Sequence, residues 1–404
     1  MIKNPVPKIR FKEFTEDYKE IALTEIAEVI GGGTPDTKKN EYWNGTIDWY
    51  TPTEIGNKKY VSSSMRKISD LGLKNSSAKL LPVGTILLSS RATIGDSSIL
   101  MKEACTNQGF QSLVAKDNVY NEYLYYLINK LKNKFLKFAT GSTFSEISKS
   151  NIENIITYTP FLREQEKIAN ILSIIDKKIE YQQLKIELLQ KYKAGIKEKL
   201  FLQLIRFKDN NGNDYPKWTK KKLKSITDIY DGTHQTPNYT SNGIKFLSVE
   251  NINNIDQSEK YISEADFNKE FKIFPEKGDI LMTRIGDVGT STLLENNDKY
   301  AFYVSLALLK TSRSNLISSS FLNQYISSNY FQRELYKRIL HVAFPKKINK
   351  GDIGECHIFI PTSIEEQKKI SDFLTKIDKK IKNEDEIKNK WHQIKKFLMQ
   401  QMFV

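Results

Sequence analysis

Glu164-Gln165-Glu166-Lys167-Ile168 returns as Glu366-Gln367-Lys368-Lys369-Ile370, and the reading of this pair of segments decides the fold. At the same offset Asp176-Lys177-Lys178-Ile179 returns as Asp378-Lys379-Lys380-Ile381, with Leu172 and Leu374 also matching. Each copy follows an apolar stretch that ends in proline, Ile155–Pro160 and Ile358–Pro361. Beyond the first proline, apolar residues recur in steps of four and three at Ile168, Leu172, Ile175, Ile179, Ile186, Leu189, Ile196 and Leu200. The second copy repeats Ile370, Leu374, Ile377 and Ile381 before slipping toward Ile387, Trp391, Ile394 and Leu398. Such steps are a heptad seam. A proline just outside a helix start is tolerated because its missing N–H has no helical partner there. Each run therefore predicts a helix of about 40 residues, about 60 Å long. A seam of that length has to be buried, so the two helices are expected to pair antiparallel as a coiled-coil spacer and assembly surface. Their lysine-rich faces read as solvated surface.

The rest of each half repeats more faintly, and in the same order. Tyr18-Lys19-Glu20-Ile21-Ala22-Leu23 answers Trp218-Thr219-Lys220-Lys221-Lys222-Leu223. Gly31-Gly32-Gly33-Thr34-Pro35 answers Asp231-Gly232-Thr233-His234-Gln235-Thr236-Pro237. Pro82-Val83-Gly84-Thr85-Ile86-Leu87-Leu88 with Arg91 answers Pro275-Glu276-Lys277-Gly278-Asp279-Ile280-Leu281 with Arg284. Gly141-Ser142-Thr143-Phe144, before Ile147-Ser148-Lys149, matches Val342-Ala343-Phe344-Pro345 before Ile348-Asn349-Lys350. Order and spacing hold while identities drift, as in a duplicated scaffold with two different surfaces. Residues 18–158 and 218–358 read as mixed α/β. Short strands are predicted at Thr46–Tyr50, Thr85–Ser89, Gln111–Ala115 and Ile155–Tyr158. Their partners are Ile244–Ser248, Asp279–Thr283, Tyr303–Leu309 and His357–Ile360. One helix is expected in each unit, Glu122–Leu136 and Ser320–Leu340. The predicted organisation is a pseudo-twofold internal repeat: globular domains at 1–160 and 208–361, helical spacers at 161–207 and 362–404.

Composition narrows the function. Lys+Arg 62 against Asp+Glu 48 gives a formal charge of +14, and a basic surface attracts polyanions, nucleic acid foremost. Positive charge kept for solubility alone is the competing explanation. A hydrophobic share of 39% with 11% aromatics supports packed cores rather than disorder. The apolar runs Gly84–Leu88 and Tyr303–Leu309 are too short to span a bilayer, and Met1–Arg10 fits no secretory signal. Cys105 and Cys356 stand far apart with no CxxC spacing. They are expected to be reduced and buried, in a cytoplasmic protein that makes no membrane contact.

A catalytic constellation is missing. The sequence carries no GxxxxGK[ST] loop for ATP, no GxGxxG turn and no N/D-P-P-Y/F tetrapeptide of amino-group DNA methyltransferases. His234, His341, His357 and His392 lack metal-ligand spacing. Glu366-Gln367-Lys368 has the Glu-x-Lys form of some nuclease sites but lacks an upstream Pro-Asp and lies on the charged helix. Gly31-Gly32-Gly33 reads either as a phosphate cradle or as a plain turn between elements.

The twice-repeated helix start, each after an apolar strand and a proline, combines with two loops that close the globular parts. These are Gly141-Ser142-Thr143-Phe144 with Ile147-Ser148-Lys149-Ser150-Asn151-Ile152, and Ala343-Phe344-Pro345-Lys346-Lys347-Ile348-Asn349-Lys350-Gly351-Asp352-Ile353. In this combination the chain resembles, over nearly its whole length, the specificity subunits of type I restriction-modification systems. The resemblance implies a non-catalytic subunit with two target recognition domains. Each would read one half of a bipartite, asymmetric site in double-stranded DNA. The helices would hold the domains apart and dock two modification (methyltransferase) subunits, through Ile168, Leu172, Ile175, Ile179, Ile370, Leu374, Ile377 and Ile381. It further implies that S-adenosylmethionine, ATP and magnesium belong to partner subunits, which methylate adenine N6 or, as restriction subunits, translocate and cleave DNA. No cofactor or metal is expected on this chain.

Sequence readout needs polar and basic side chains on loops that reach base edges. In the first half the candidates are Thr34, Lys38, Lys39, Arg91, Asn107, Gln108, Ser142, Thr143, Phe144 and Lys149. In the second they are Thr233, His234, Gln235, Arg284, Tyr303, Phe344, Lys346, Lys347 and Lys350. Arg91 and Arg284 read as base readers, as phosphate clamps, or as surface arginines paired to Asp96 or Asp287. The alternative function is a two-domain adaptor that binds proteins, which steep salt dependence of duplex binding would separate from a DNA reader.

Overall fold

The computed structural model describes residues 5–139, 145–312 and 314–404. Contacts group the chain into two units, Met1–Gln183 with Glu386–Val404, and Leu184–Asp385. Each long helix, Leu162–Phe201 and Ile364–Gln401, gives its first half to the globular part before it and its second half to the other unit.

In the first unit, a five-stranded sheet runs in the order Ala27–Gly31, Gln111–Ala115, Ile86–Leu88, Ser97–Leu100, Tyr60–Val61. Val29 pairs with Leu113 and Ala27 with Ala115 across an antiparallel ladder. Alternation along a strand sends successive side chains to opposite faces. Val29, Ile86, Leu88 and Leu113 accordingly meet Tyr123, Leu127 and Leu131 of the helix Asn121–Phe138. Leu87 faces the other way, into a second core with Tyr50, Ile55 and Phe110. Beside that core lies a three-stranded sheet of Arg66–Ile68, Trp43–Tyr50 and Ala104–Thr106. Ile86–Leu88 is apolar throughout because both of its faces are covered.

The second unit repeats this plan. Its larger sheet runs Asp228–Asp231, Leu306–Lys310, Ile280–Thr283, Ser291–Leu293. Ile280 and Met282 enter one core and Leu281 the other. The helix expected over Ser320–Leu340 is two, Ser319–Ile326 and Asn329–Tyr336. The break falls where the Ser328 hydroxyl accepts the Phe331 N–H (3.3 Å) and caps a new helix. Cys105 and Cys356 are free and buried, and desolvation pushes both thiols up to about 12.

The repeated Glu-Gln proves to be a buried clasp. Glu164 accepts both Nε and Nη2 of Arg10 (2.9 Å each) and the Tyr18 hydroxyl (3.1 Å). In the second unit Glu366 accepts Arg206 Nε and Nη2 (3.0 and 2.9 Å) and Trp218 Nε1 (3.2 Å). Gln165 donates to the Pro160 carbonyl and accepts the Tyr120 N–H (2.9 and 3.0 Å). Gln367 donates to the Pro361 carbonyl and accepts the Ser318 N–H (2.9 and 2.8 Å). The repeated aspartate completes the set. Asp176 takes the Tyr126 hydroxyl and Lys395 (both 2.6 Å), whereas Asp378 takes Gln324 Nε2 (3.0 Å) and Lys193 (2.6 Å). Each motif thus bolts a helix start to its own globular part, with every buried charge paired.

Within each unit the two helical halves are antiparallel. Asp176 meets Lys395 and Lys178 lies over Trp391 in the first, while Lys185 meets Glu384 and Lys193 meets Asp378 in the second. The helix ends are anchored by aromatics: Phe403 stacks on Tyr123 at 5.4 Å, and Phe201 sits edge-on to Tyr325 at 5.0 Å.

This packing corrects one expectation. Ile168, Leu172, Ile175, Ile370, Leu374 and Ile377 are buried inside this chain, and Ile179 and Ile381 are half-buried. The six buried members of the seam are closed off by the globular parts and the second helix, so those side chains are unavailable to a docking partner. Beyond its first residue, Leu162, the large apolar side chains that the first long helix leaves exposed are Ile174 and Tyr181 in the first unit and Leu184, Leu188 and Tyr192 in the second.

Candidate nucleic-acid interface

In the first unit the strand Ile86–Leu88 leaves the sheet through a tight turn that carries Arg91. The Ser89 hydroxyl donates to the Thr93 carbonyl, and Gly95 N–H returns to the Ser89 carbonyl at 3.0 Å. Gly95 has φ +88°, a conformation costly for any residue with a Cβ. Other loops are tied to this turn. Ser90 N–H bonds the Gly109 carbonyl (2.8 Å), Ile147 N–H bonds the Ser90 carbonyl (3.1 Å), and Arg91 Nε pairs with Glu146 (2.8 Å). Thr34 donates to Gln108 Oε1, and Gly33 N–H bonds the Thr106 carbonyl at 2.8 Å. Residues 32–39, 89–96, 106–109 and 145–149 therefore form one surface at one end of the sheet.

That surface brings together Thr34, Arg91, Asn107, Gln108 and Lys149. Lys38 and Lys39 continue its first loop, both exposed. Lys39 bonds the Tyr42 hydroxyl (3.1 Å), which raises its pKa and secures its charge. Asn107 is half-buried, and its side-chain oxygen accepts the Gly109 N–H (2.9 Å), so it shapes the loop. Lys149 opens the helix Lys149–Glu153 and lies 3.6 Å from Glu153. Ser142, Thr143 and Phe144 lie outside the described residues. The glycine triplet serves close approach. A Cβ on Gly32 would fall 2.0 Å from the Asn107 carbonyl, and the Gly33 N–H is already bonded to the Thr106 carbonyl, as in a plain turn between elements.

The second unit assembles the same four segments. Arg284 N–H bonds the Ser305 carbonyl (2.9 Å) and Ile348 N–H bonds the Arg284 carbonyl (3.0 Å). Gly286 N–H bonds the Lys346 carbonyl (2.8 Å), and Val304 N–H the Thr233 carbonyl (2.9 Å). His234, Gln235, Phe344, Lys346, Lys347 and Lys350 are exposed on this surface. Thr233 and Tyr303 are half-buried and form its wall, with the Tyr303 ring 6.1 Å from Phe246.

The two matched arginines differ. Arg284 is 12% exposed, pairs with Asp231 and donates Nε to the Ile348 carbonyl at 3.2 Å. It locks two loops together. Arg91 is 45% exposed and keeps donors facing solvent. Neither pairs with the expected carboxylate, because Asp96 is taken by Lys132 (2.6 Å) and Asp287 by the Thr290 hydroxyl (2.7 Å).

Sequence reading missed a second basic patch beside the Phe344 loop. Arg333, Tyr336 and Lys337 are exposed, and with Val288, Asn329, Gln332 and Ile339 they line an open groove of about 630 Å³. The Tyr336 ring packs 4.5 Å from His341. The signal was present as i, i+3, i+4 spacing, which puts the three on one helical face. Arg10 and Arg206 were missed as well. Their signal was the repeat of Ile9-Arg10-Phe11-Lys12 as Ile205-Arg206-Phe207-Lys208. Among the described residues no group of His, Cys, Asp and Glu could hold a metal ion, and no helix is long and apolar enough to cross a membrane.

Two like units on paired helices, each with variable polar loops gathered at one end of a sheet, define a duplicated recognition scaffold. Residues 15–191 and again 201–392 match the family described as the type I restriction modification DNA specificity domain, and the chain belongs to that family. It is 36% identical over 252 residues to the type I restriction enzyme MjaIX specificity subunit of Methanocaldococcus jannaschii, covering 59% of this chain and 58% of that protein. With the MjaVIII specificity subunit of the same organism it shares 26% over 399 residues, 95% of this chain and 91% of the relative. The chain thus spans little more than half the length of the first of these relatives. The crystal structure of a type I restriction-modification S subunit from M. genitalium has the same fold, with a TM-score of 0.61, 16% identity and coverage of 99% of both chains. The adaptor reading finds no support in these relatives.

Proposed function

We propose that this chain is the DNA-reading subunit of a type I restriction-modification complex. Each unit reads one half of a bipartite, asymmetric site in double-stranded DNA. The observation that carries this reading is the pair of matched loop clusters, built on one scaffold but lined by different side chains. In the first these are Thr34, Arg91, Gln108 and Lys149, and in the second His234, Gln235, Lys346, Lys347 and Lys350. Contacts from lysines to phosphates set register, and contacts from amide, hydroxyl and guanidinium groups to base edges specify sequence. The family and the relatives' names support the same reading.

In this proposal the reading domains are residues 1–160 and 208–361, and 161–207 and 362–404 are the spacers. The faces carrying Ile174 and Tyr181, and Leu184, Leu188 and Tyr192, dock two modification subunits. Those subunits bind S-adenosylmethionine and methylate adenine N6, while restriction subunits use ATP and magnesium. This chain supplies no catalytic step and works in the cytoplasm, where its DNA is. Methylome sequencing of cells with and without the gene tests the proposal. Loss of one bipartite N6-methyladenine motif is expected; an unchanged methylome with active partner subunits present refutes it.

A further inference from the structure

Val342 and Phe344 are the most exposed large apolar side chains of the described chain, 99% and 103% exposed. Both stand on a short excursion whose base is firmly held. Leu340 N–H bonds the Lys347 carbonyl and Gly286 N–H bonds the Lys346 carbonyl, each at 2.8 Å. The excursion therefore projects from the Arg284 turn, inside the loop cluster assigned above to DNA. Its flanks are His341, Lys346 and Lys347, and residues 340–350 include no acidic side chain between Leu340 and Lys350. Beside it lies the Arg333, Tyr336 and Lys337 patch.

Resting on the DNA-reading function, we infer that Phe344, supported by Val342, is an apolar wedge that enters the base stack of the half-site read by the second unit. Lys346 and Lys347 hold the phosphates beside it. Two chemistries have to be satisfied at once by whatever covers this tip: one exposed aromatic with a small aliphatic neighbour, and several cations within a few residues. A protein interface stable by itself buries on the order of 1,000 Å² or more, far beyond what two side chains offer. A nucleic-acid duplex satisfies both, because wedge residues of this type insert between base pairs while flanking cations bond the backbone. The insertion unstacks one step, so the cost depends on that step, with flexible pyrimidine–purine steps the least resistant. The wedge thereby adds a sequence preference where no hydrogen bond is made.

The test uses the full chain with its methyltransferase subunits. The probe is a duplex selected by that complex from a random-sequence pool, with adenines other than the methylated one replaced singly by 2-aminopurine. Wild-type complex is expected to raise 2-aminopurine fluorescence at one step of the second half-site, reporting unstacking. Phe344→Ala abolishes that rise and lowers affinity on the order of tenfold, the scale of one lost stacking contact, with the slope of log affinity against log salt unchanged. Phe344→Trp retains the rise. Melting temperatures of both variants should match wild type, since the side chain touches nothing in the fold. If Phe344→Ala leaves the fluorescence pattern as it was while half-site preference persists, the wedge is wrong and the DNA-reading function stands. If the variant instead loses its methyltransferase subunits, the tip is a protein-docking element and the inference is overturned. If the wild-type complex selects no duplex at all, the DNA-reading function fails and the wedge with it.

Discussion

Removing Arg206 should destabilise the second unit far more than an ordinary surface substitution. Its guanidinium is 22% exposed, whereas the carboxylate that it grips, on Glu366, is fully buried. In Arg206→Ala the carboxylate keeps, among the described residues, only Trp218 Nε1 as a donor. Breaking a buried pair from one side costs 3–5 kcal/mol, and the partial exposure of Arg206 argues for the lower end, about 3 kcal/mol. For a unit of roughly 200 residues this corresponds to a fall of about 6–12 °C in its melting transition. Replacing both partners, Arg206→Met with Glu366→Leu, removes the stranded charge and should recover most of the loss, because apolar replacements of buried pairs are often neutral. Differential scanning calorimetry of the two single variants and the double variant completes the cycle and yields the coupling energy. Arg10→Ala provides the parallel measurement on Glu164 in the first unit. A loss below about 1 kcal/mol for Arg206→Ala, the range of exposed ion pairs, would refute the clasp. So would a double variant no more stable than the single one.

Four further outcomes are expected. Burial alone would raise the Glu334 carboxyl, but Lys337, the His357 N–H and Arg338 outweigh it and hold the group at about 2. A folded pKa below the unfolded value stabilises above about pH 4.5 and ceases to do so as the pH falls toward 2. Glu334→Gln should therefore melt below wild type at neutral pH and converge with it in acid, as scans at several pH values will show. Lys346→Ala and Lys347→Ala should each reduce the salt slope of duplex binding by about 0.9 if each neutralises one phosphate, measured by titration at graded salt. Arg284→Ala should relax discrimination in one half-site and Arg91→Ala in the other, scored with single-base variants of both halves; uniform loss across both would contradict the assignment. Charge placed on the exposed helix face, as Leu188→Lys with Tyr192→Lys, should weaken co-purification of a methyltransferase subunit while melting stays near wild type.

The duplication and its long helices were legible because a heptad and a repeated motif are local patterns. What buries a heptad is not local. The steps from Ile168 to Ile179 show that one face is covered, but they cannot distinguish a foreign subunit from the chain's own globular part. The burial of Glu164-Gln165 left no local mark in the sequence, because the partner of Glu164, Arg10, lies 154 residues away. Only the Ile-Arg-Phe-Lys repeat could have exposed the pairing. The break at Ser327-Ser328 was hidden for a related reason. Apolar residues continue through it, from Tyr325 and Ile326 to Phe331 and Leu335, all buried, while a serine cap is a weak mark. At the interface the order of the turns was readable, and the exposure of each side chain was not. Arg91 and Arg284 hold matched positions yet differ in burial, because Asp231 and the Ile348 carbonyl close around Arg284, whereas Arg91 pairs with Glu146, a carboxylate that is itself exposed.

The three clasp positions on each helix start have a genetic consequence. Glu164 and Glu366, Gln165 and Gln367, and Asp176 and Asp378 take partners of the same kind in both units, from the segment that carries Arg10 or Arg206, the globular part and the opposing helix. None of the six belongs to the loop clusters. A crossover within the DNA encoding these helix starts would hand a new globular part to a scaffold that already carries matching fittings. Loop mutation, by comparison, has to alter one contact at a time without loosening Arg284 or its equivalents. On the proposed function, inheritance by whole halves would let two lineages of half-sites be combined freely. The number of available targets would then grow as the product of the two repertoires rather than as their sum.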